Sequence, residues 1–176
     1  MPVELYSPVC YSLPVSVNID TRVVSPGDNR YVEEAWQLKE RIRQSEDVLK
    51  QRRGFFTDAY RRSTVYCYLT DGEGGEQIVG FAAVRRDGYI LFLAVNPDFR
   101  GEGFGQRLVA RVAKNHATVT CHARSTNQNA LDFYRHLGFS VERRIDNYYE
   151  DGGDAFYLRL GEEESITKRL SDFMRG

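Results

Sequence analysis

Apolar and polar residues change their spacing repeatedly along this chain, and each change marks an element. Val17 to Val24 alternates and predicts a first strand, closed by the turn residues Ser25-Pro26-Gly27-Asp28. Tyr31 to Arg43 puts Val32, Ala35, Leu38 and Ile42 on one face, which is helical spacing. A second helical stretch, Glu46 to Arg62, is interrupted by Gly54. Strand spacing then returns at Thr64–Thr70, Gln77–Arg85 and Gly88–Val95. The first two of these are joined by the hairpin turn Asp71-Gly72-Glu73-Gly74-Gly75. Helical spacing covers Phe104–Asn115 and Asn127–Leu137, the latter stopped by Gly138, with a strand at Thr118–Ala123 between them. Phe139–Ile145 and Ala155–Leu160 form a closing strand pair. The predicted order is strand, two helices, three antiparallel strands, helix, strand, helix, two strands.

A length of 176 residues suits a single domain with extensions. Residues 1–18 hold Pro2, Pro8 and Pro14 without a clear period and read as an amino-terminal arm. Residues 19–160 form the domain, and residues 161–176 carry Ile166, Leu170 and Phe173 at helical spacing, an amphipathic tail. A net charge of −1 gives no basic excess for gripping nucleic acid by bulk charge. The clusters Arg41/Arg43, Arg52-Arg53 and Arg61-Arg62 read as solvated helix faces. Cys10, Cys67 and Cys121 form no Cys-x-x-Cys pair and have no metal-ligand spacing with His116, His122 or His136. The expectation is therefore no disulfide framework, no metal, and a reducing cytoplasm. No run approaches the roughly 20 apolar residues of a membrane span, and no signal peptide is apparent.

The stretch Arg100-Gly101-Glu102-Gly103-Phe104-Gly105 stands between the apolar run Ile90–Val95 and the helical pattern that follows. A helix start presents unpaired N–H groups and partial positive charge, so glycines leading into one make an anion site, with Arg100 adding a full charge. The simplest ligand is a phosphate or diphosphate; the alternative is a tight turn with no ligand. A dinucleotide-binding turn would need a parallel strand-helix-strand unit, and the preceding hairpin speaks against it.

These residues resemble the GNAT acetyltransferase superfamily. The family's acyl-CoA loop, [Arg/Gln]-x-x-Gly-x-[Gly/Ala], matches Arg100–Gly105 after the lead-in Val95-Asn96-Pro97. Its Asn-x-x-Ala-x-x-[Phe/Leu]-Tyr-x-x-x-Gly-Phe motif matches Asn127 through Ala130, Phe133-Tyr134 and Gly138-Phe139. The segment Asn147-Tyr148-Tyr149-Glu150-Asp151-Gly152-Gly153-Asp154-Ala155 is similar to that of protein N-terminal acetyltransferases, including the ribosomal-protein alanine type. The resemblance implies the GNAT fold, a mixed, mostly antiparallel twisted sheet flanked by helices in one α/β domain. It also implies acetyl-CoA as cosubstrate and CoA as product. Main-chain groups at Leu93 and Val95, and at Gly101, Gly103, Phe104 and Gly105, would bind the cofactor with Arg100, Asn127 and Tyr134. His122 falls on the general-base position, Tyr89 where some relatives hold a catalytic water, and Tyr148 and Tyr149 where the peptide enters. The implied partner is a protein or peptide N-terminus, approached by a monomer or homodimer.

The chemistry of these residue types agrees with that assignment. An α-amine has a pKa of about 8 and lysine about 10.4, so roughly a tenth of the former is neutral at pH 7. A histidine near 6.5 suits relay of the remaining proton; otherwise His122 is an ordinary polar strand residue beside Thr120 and Arg124. Tyr134, a phenol, can donate to a departing thiolate without ionising; otherwise it is an aromatic on a helix among Phe133 and Leu137. Attack is expected to be direct, because no cysteine sits in a motif for an acyl-enzyme. Glu150, Asp151 and Asp154 either attract an ammonium or form a solvated turn. The alternatives on the same scaffold are acetylation of lysine or a small amine, or acyl-CoA binding without catalysis.

Overall fold

The computed structural model describes residues 17–161; nearly all of the expected amino-terminal arm and carboxy-terminal tail lie outside them. The elements are β1 (Ile19–Val24), α1 (Val32–Glu46), α2 (Arg53–Arg62), β2 (Thr64–Gly72), β3 (Gly75–Val84) and β4 (Tyr89–Val95). They continue with α3 (Phe104–Asn115), β5 (Val119–Arg124), α4 (Gln128–His136), β6 (Ser140–Ile145) and β7 (Ala155–Leu160). The strands form one sheet in the order β1-β2-β3-β4-β5-β7-β6. Every neighbouring pair is antiparallel except β4–β5.

Both faces of the sheet centre are covered. Along β2, Val65, Cys67 and Leu69 point to a core shared with Ala35, Leu38, Ile42, Phe56 and Tyr60 of α1 and α2. Tyr66 and Tyr68 point the other way, to a core with Leu108, Val109 and Val112 of α3 and Leu131 and Tyr134 of α4. The period-2 alternation thus feeds two hydrophobic layers, and β2 reads as a continuous apolar run because neither face meets water.

Two features of this frame create the site. The register of β3 and β4 steps from Ala83↔Phe92 to Val84↔Ile90, so Leu91 is an extra residue, a β-bulge. Leu91 and Phe92 therefore both pack on the α1/α2 side, while Ile90 before them faces the α3/α4 side. After the bulge the Asn96 N–H donates to the Val79 carbonyl at 2.7 Å. By alternation, the main-chain groups of Leu93 and Val95 face away from β3. The strand on that side leaves: β4 and β5 pair only at Tyr89↔Thr120 and Ile90↔Cys121. The sheet is therefore split into a V from residue 91 onward.

The helix boundary that differs most from expectation is that of α2, which starts at Arg53 rather than near Glu46. Asp47 (φ 55°) and Leu49 (φ 54°) adopt left-handed backbone, which ends α1 and prevents a continuous helix. On α4 the Asn127 side-chain oxygen accepts from the Ala130 N–H at 3.1 Å, a cap at the third helical amide. At its other end the Phe139 N–H reaches the Tyr134 carbonyl and the Gly138 N–H the Arg135 carbonyl, the two bonds of a Schellman stop around Gly138 (φ 101°). Asn127→Ala is expected to destabilise the fold by about 1 kcal/mol, measured as a lowered urea midpoint at unchanged slope.

Candidate active site

A cleft of about 640 Å³ occupies the V between β4 and β5. One wall carries Leu91, Leu93 and Val95, and the other carries His122, Ala123 and Arg124. The α3 start and the loop before it close one end; Val48, Leu49 and Gln51 of the α1–α2 connection lie across the opening. The sequence-predicted cofactor residues Leu93, Val95, Arg100, Gly101, Gly103, Phe104, Gly105, Asn127 and Tyr134 all line it. Leu93 and Val95 also pack their side chains against the core.

The glycines have different reasons. Gly101 (φ 81°) and Gly103 (φ 83°) are left-handed, and a Cβ on Gly101 would meet no atom within 4 Å. A Cβ on Gly103 would come no nearer than 3.7 Å to Gln106, so both keep the loop surface open. Gly105 instead makes room for a side chain: a Cβ there would lie 3.1 Å from the Phe133 ring. The first α3 hydrogen bond runs from the Arg107 N–H to the Gly103 carbonyl at 3.1 Å, and no side chain caps the helix. The amides of Phe104, Gly105 and Gln106 are thus left to project from the helix end. Arg100 is ion-paired with Glu46 at the end of α1, so its charge is shared between the loop and that helix.

Across the cleft, His122 stands in a cluster of tyrosines drawn from β4, β7 and the β6–β7 loop. The Tyr89 hydroxyl lies 2.6 Å from His122 Nδ1, and the Tyr148 hydroxyl lies 3.4 Å from the same atom. Tyr148 stacks on the imidazole (centroids 4.3 Å, planes 11° apart), and the Tyr157 ring lies 5.0 Å away. Nε2 is buried with no hydrogen-bond partner. Tyr89 therefore bonds to the imidazole itself. Burial, then the cations Arg143 and Arg85, hold His122 below its ordinary pKa, so the ring is neutral at pH 7. Arg85 sits over the Tyr89 ring and Arg143 over the Tyr157 ring, at 4.7 and 5.2 Å.

Tyr134 reaches the cleft from α4, packed between Phe133 and Phe139 at centroid distances of 5.1 and 5.0 Å. Burial pushes its phenol well above the usual range, so it remains a hydrogen-bond donor at any working pH. The Cys121 thiol beside it is pushed up to about 12 by burial, which removes it as a nucleophile.

The acidic turn is committed to cations of the chain. Asp151 accepts from Arg124 at 2.9 and 3.0 Å and lies 3.5 Å from Lys50, while Glu150 lies 3.6 Å from Arg52. Arg124 holds the Asp151 carboxyl down at about 2. Asp154 pairs with Arg144 and accepts from the Asn147 N–H at 2.9 Å. Arg124 also lies 4.0 Å from the centroid of the Tyr149 ring, fixing that tyrosine at the cleft.

Residues 61–141 match the family described as the acetyltransferase (GNAT) domain. That stretch, a little under half of the chain, is similar to the GNAT acetyltransferase domain. Human N-alpha-acetyltransferase 30 is 30% identical to it over 159 residues, covering 79% of this chain and 43% of that one. The Arabidopsis thaliana N-alpha-acetyltransferase MAK3 is 40% identical over 78 residues, 42% of this chain and 41% of that one. The chain thus spans less than half the length of these curated relatives. Among solved structures, Ard1 from Thermoplasma volcanium superposes with a TM-score of 0.63 at 23% identity, covering 81% of this chain and 96% of that one. The ribosomal-protein-S18-alanine N-acetyltransferase from Escherichia coli gives 0.60 at 22% identity, covering 80% and 93%. These structures share the GNAT fold with this chain.

The cleft presents groups that fit an acyl-CoA and its acceptor: helix-end amides for phosphates, a free strand edge for an amide-bearing arm, and the unpartnered His122 Nε2 for a proton. Among the described residues no cluster of His, Cys, Asp or Glu could hold a metal ion, and no helix is long and apolar enough to cross a membrane. Sequence reading missed Tyr157, Arg85 and Arg143 around His122, and Gln51 at the opening. Tyr157 had a signal only once register was known, since it pairs directly with His122.

Proposed function

We propose that this chain transfers an acetyl group from acetyl-CoA to the N-terminal α-amine of a protein or peptide. Bound acetyl-CoA supplies the activated acyl group. The chain supplies the Gly101–Gly105 amides for the diphosphate, aided by Arg100 and Asn127, and the Leu93 and Val95 main chain for the pantetheine arm. Its other task is to move two protons: one off the attacking amine, toward His122 held by Tyr89, and one toward the leaving sulfur, through the Tyr134 hydroxyl. The amine attacks the thioester carbonyl directly as the carbon–sulfur bond breaks; the high thiol pKa of Cys121 argues against an acyl-enzyme. Tyr148 and Tyr149 would contact the peptide.

The observation that carries this reading is the edge of β4 left bare by β5, facing a neutral His122 across one cleft. An α-amine suits such a base better than lysine does, because it needs about two powers of ten less help in losing its proton. The name that its relatives share, N-alpha-acetyltransferase, points the same way. The cytoplasm is the proposed compartment, in keeping with the free, buried thiols of Cys67 and Cys121.

A peptide library with varied first residues and one internal lysine tests the reading. Incubation with acetyl-CoA followed by mass spectrometry should place the acetyl group on the α-amine; acetylation confined to lysine would overturn it. Tyr134→Phe should lower kcat about tenfold with an unchanged melting temperature, and parental turnover would release Tyr134 from the acid role.

A further inference from the structure

The α1–α2 connection is pinned from two sides. From below, the wholly buried Lys39 ammonium donates to the Gln51 carbonyl at 2.5 Å and to Glu40 at 3.0 Å, with the Trp36 ring centroid 4.5 Å away. Arg43 holds Glu40 in turn, at 2.8 Å. From across the opening, Lys50 and Arg52 reach Asp151 and Glu150. Just ahead of these anchors the backbone passes through the left-handed Asp47 and Leu49. Burying an ammonium is costly, and burial pulls that of Lys39 below its usual range against the opposing pull of Glu40. An apolar side chain of similar length would fill the space without that cost. What lysine adds is a fixed donor to a main-chain carbonyl twelve residues on.

The same residue, Gln51, lines the cleft, and its side-chain Oε1 is buried with no hydrogen-bond partner. A buried acceptor left unmade is expensive, so a ligand donor that reaches it gains more than an ordinary surface hydrogen bond. The opening beside Tyr149 is where a peptide would lie, and a peptide main chain carries such donors at every residue but proline.

We propose that Lys39 is a positioning residue for the acceptor: by holding the Gln51 carbonyl it fixes the connection so that the Gln51 side-chain oxygen accepts a main-chain N–H of the bound peptide. This rests on the transfer reaction proposed above. Lys39 touches no reacting atom and acts only through the connection.

The test uses the full chain, the best peptide of the library, and two analogues in which the second or third residue's N–H is replaced by an ester oxygen. In the parental protein one ester should raise the peptide KM about tenfold, whereas Gln51→Leu should treat that ester and the amide alike. Lys39→Met should raise the peptide KM about tenfold, with kcat within about threefold and acetyl-CoA affinity unchanged. Esters that penalise Gln51→Leu as much as the parent, or a Lys39→Met loss shared equally by kcat and acetyl-CoA affinity, would overturn the proposal. If the parental protein transfers no acetyl group to any peptide, the proposed function fails instead. Hydrogen exchange then decides the role of Lys39. Faster exchange at residues 47–52 in Lys39→Met supports it, and exchange equal to the parent's overturns it. Should Lys39→Met not fold, the ester comparison in Gln51→Leu decides alone.

Discussion

His122→Ala is expected to lower kcat/KM for an α-amine peptide about 100-fold at pH 7, narrowing to about tenfold at pH 9. The narrowing follows from the substrate. At pH 7 about nine-tenths of an α-amine is protonated and needs a base; at pH 9 only about a tenth is. In the parental protein the active imidazole is neutral, and burial with Arg143 and Arg85 nearby lowers its pKa from the ordinary 6.5. Full activity should therefore persist down through pH 6.5 and fall only below it, as the ring takes up a proton. The groups facing the ring from neighbouring elements are Tyr89 and Arg85 from the β3–β4 side, Tyr148 from the β6–β7 loop, Arg143 of β6 and Tyr157 of β7. None of these is a carboxylate, so no counter-charge holds the proton on. An acid limb above 6.5, or a constant ratio of variant to parent between pH 7 and 9, would remove His122 from the proton path.

Gly103→Val should weaken acetyl-CoA binding by at least about 100-fold while the protein stays folded. Two effects act together. A β-branched residue at φ 83° is forced out of a conformation that L side chains rarely adopt, and the loop must shift to relieve it. Its methyls would also cover the surface over the Phe104, Gly105 and Gln106 amides, blocking main-chain approach by a phosphate. Gly105→Ala is the contrasting change. Its Cβ presses on Phe133 and not on the ligand surface, so it should act through the α3–α4 packing. Fluorescence displacement of a CoA analogue set beside thermal melting separates the two, because the Gly103 variant loses affinity far beyond what its modest loss of stability accounts for, whereas the Gly105 variant loses stability with affinity largely kept.

Much of this frame is legible in the chain itself. Helix α3 runs over Phe104–Asn115 and β7 over Ala155–Leu160, the bounds that spacing predicts. There the apolar period is unbroken, with a glycine just before α3 and just after β7, so local preference and packing agree. The α1–α2 connection was not legible. Val48 and Leu49 suit a helix by spacing but are drawn to the cleft, and the Gln51 carbonyl is taken by Lys39 rather than by a helical amide. The bulge at Leu91 also left no mark, because every residue from Ile90 to Val95 is apolar and either register would bury them. The cofactor loop could be named from its glycines, yet their reasons differ: Gly105 serves Phe133, while Gly101 and Gly103 serve the open surface. The tyrosines around His122 come from separate elements, so no short motif could announce them. The acidic turn, which suggested attraction for an ammonium, instead anchors Arg124, Lys50 and Arg52.

The most direct measurement is a calorimetric titration of acetyl-CoA into the folded protein, repeated with CoA lacking its diphosphate-linked nucleotide. Saturable one-to-one binding of the whole molecule, lost when the diphosphate is removed, is the predicted result. No heat with acetyl-CoA, or equal affinity for the truncated arm, would contradict the role given to the bare amides at the head of α3.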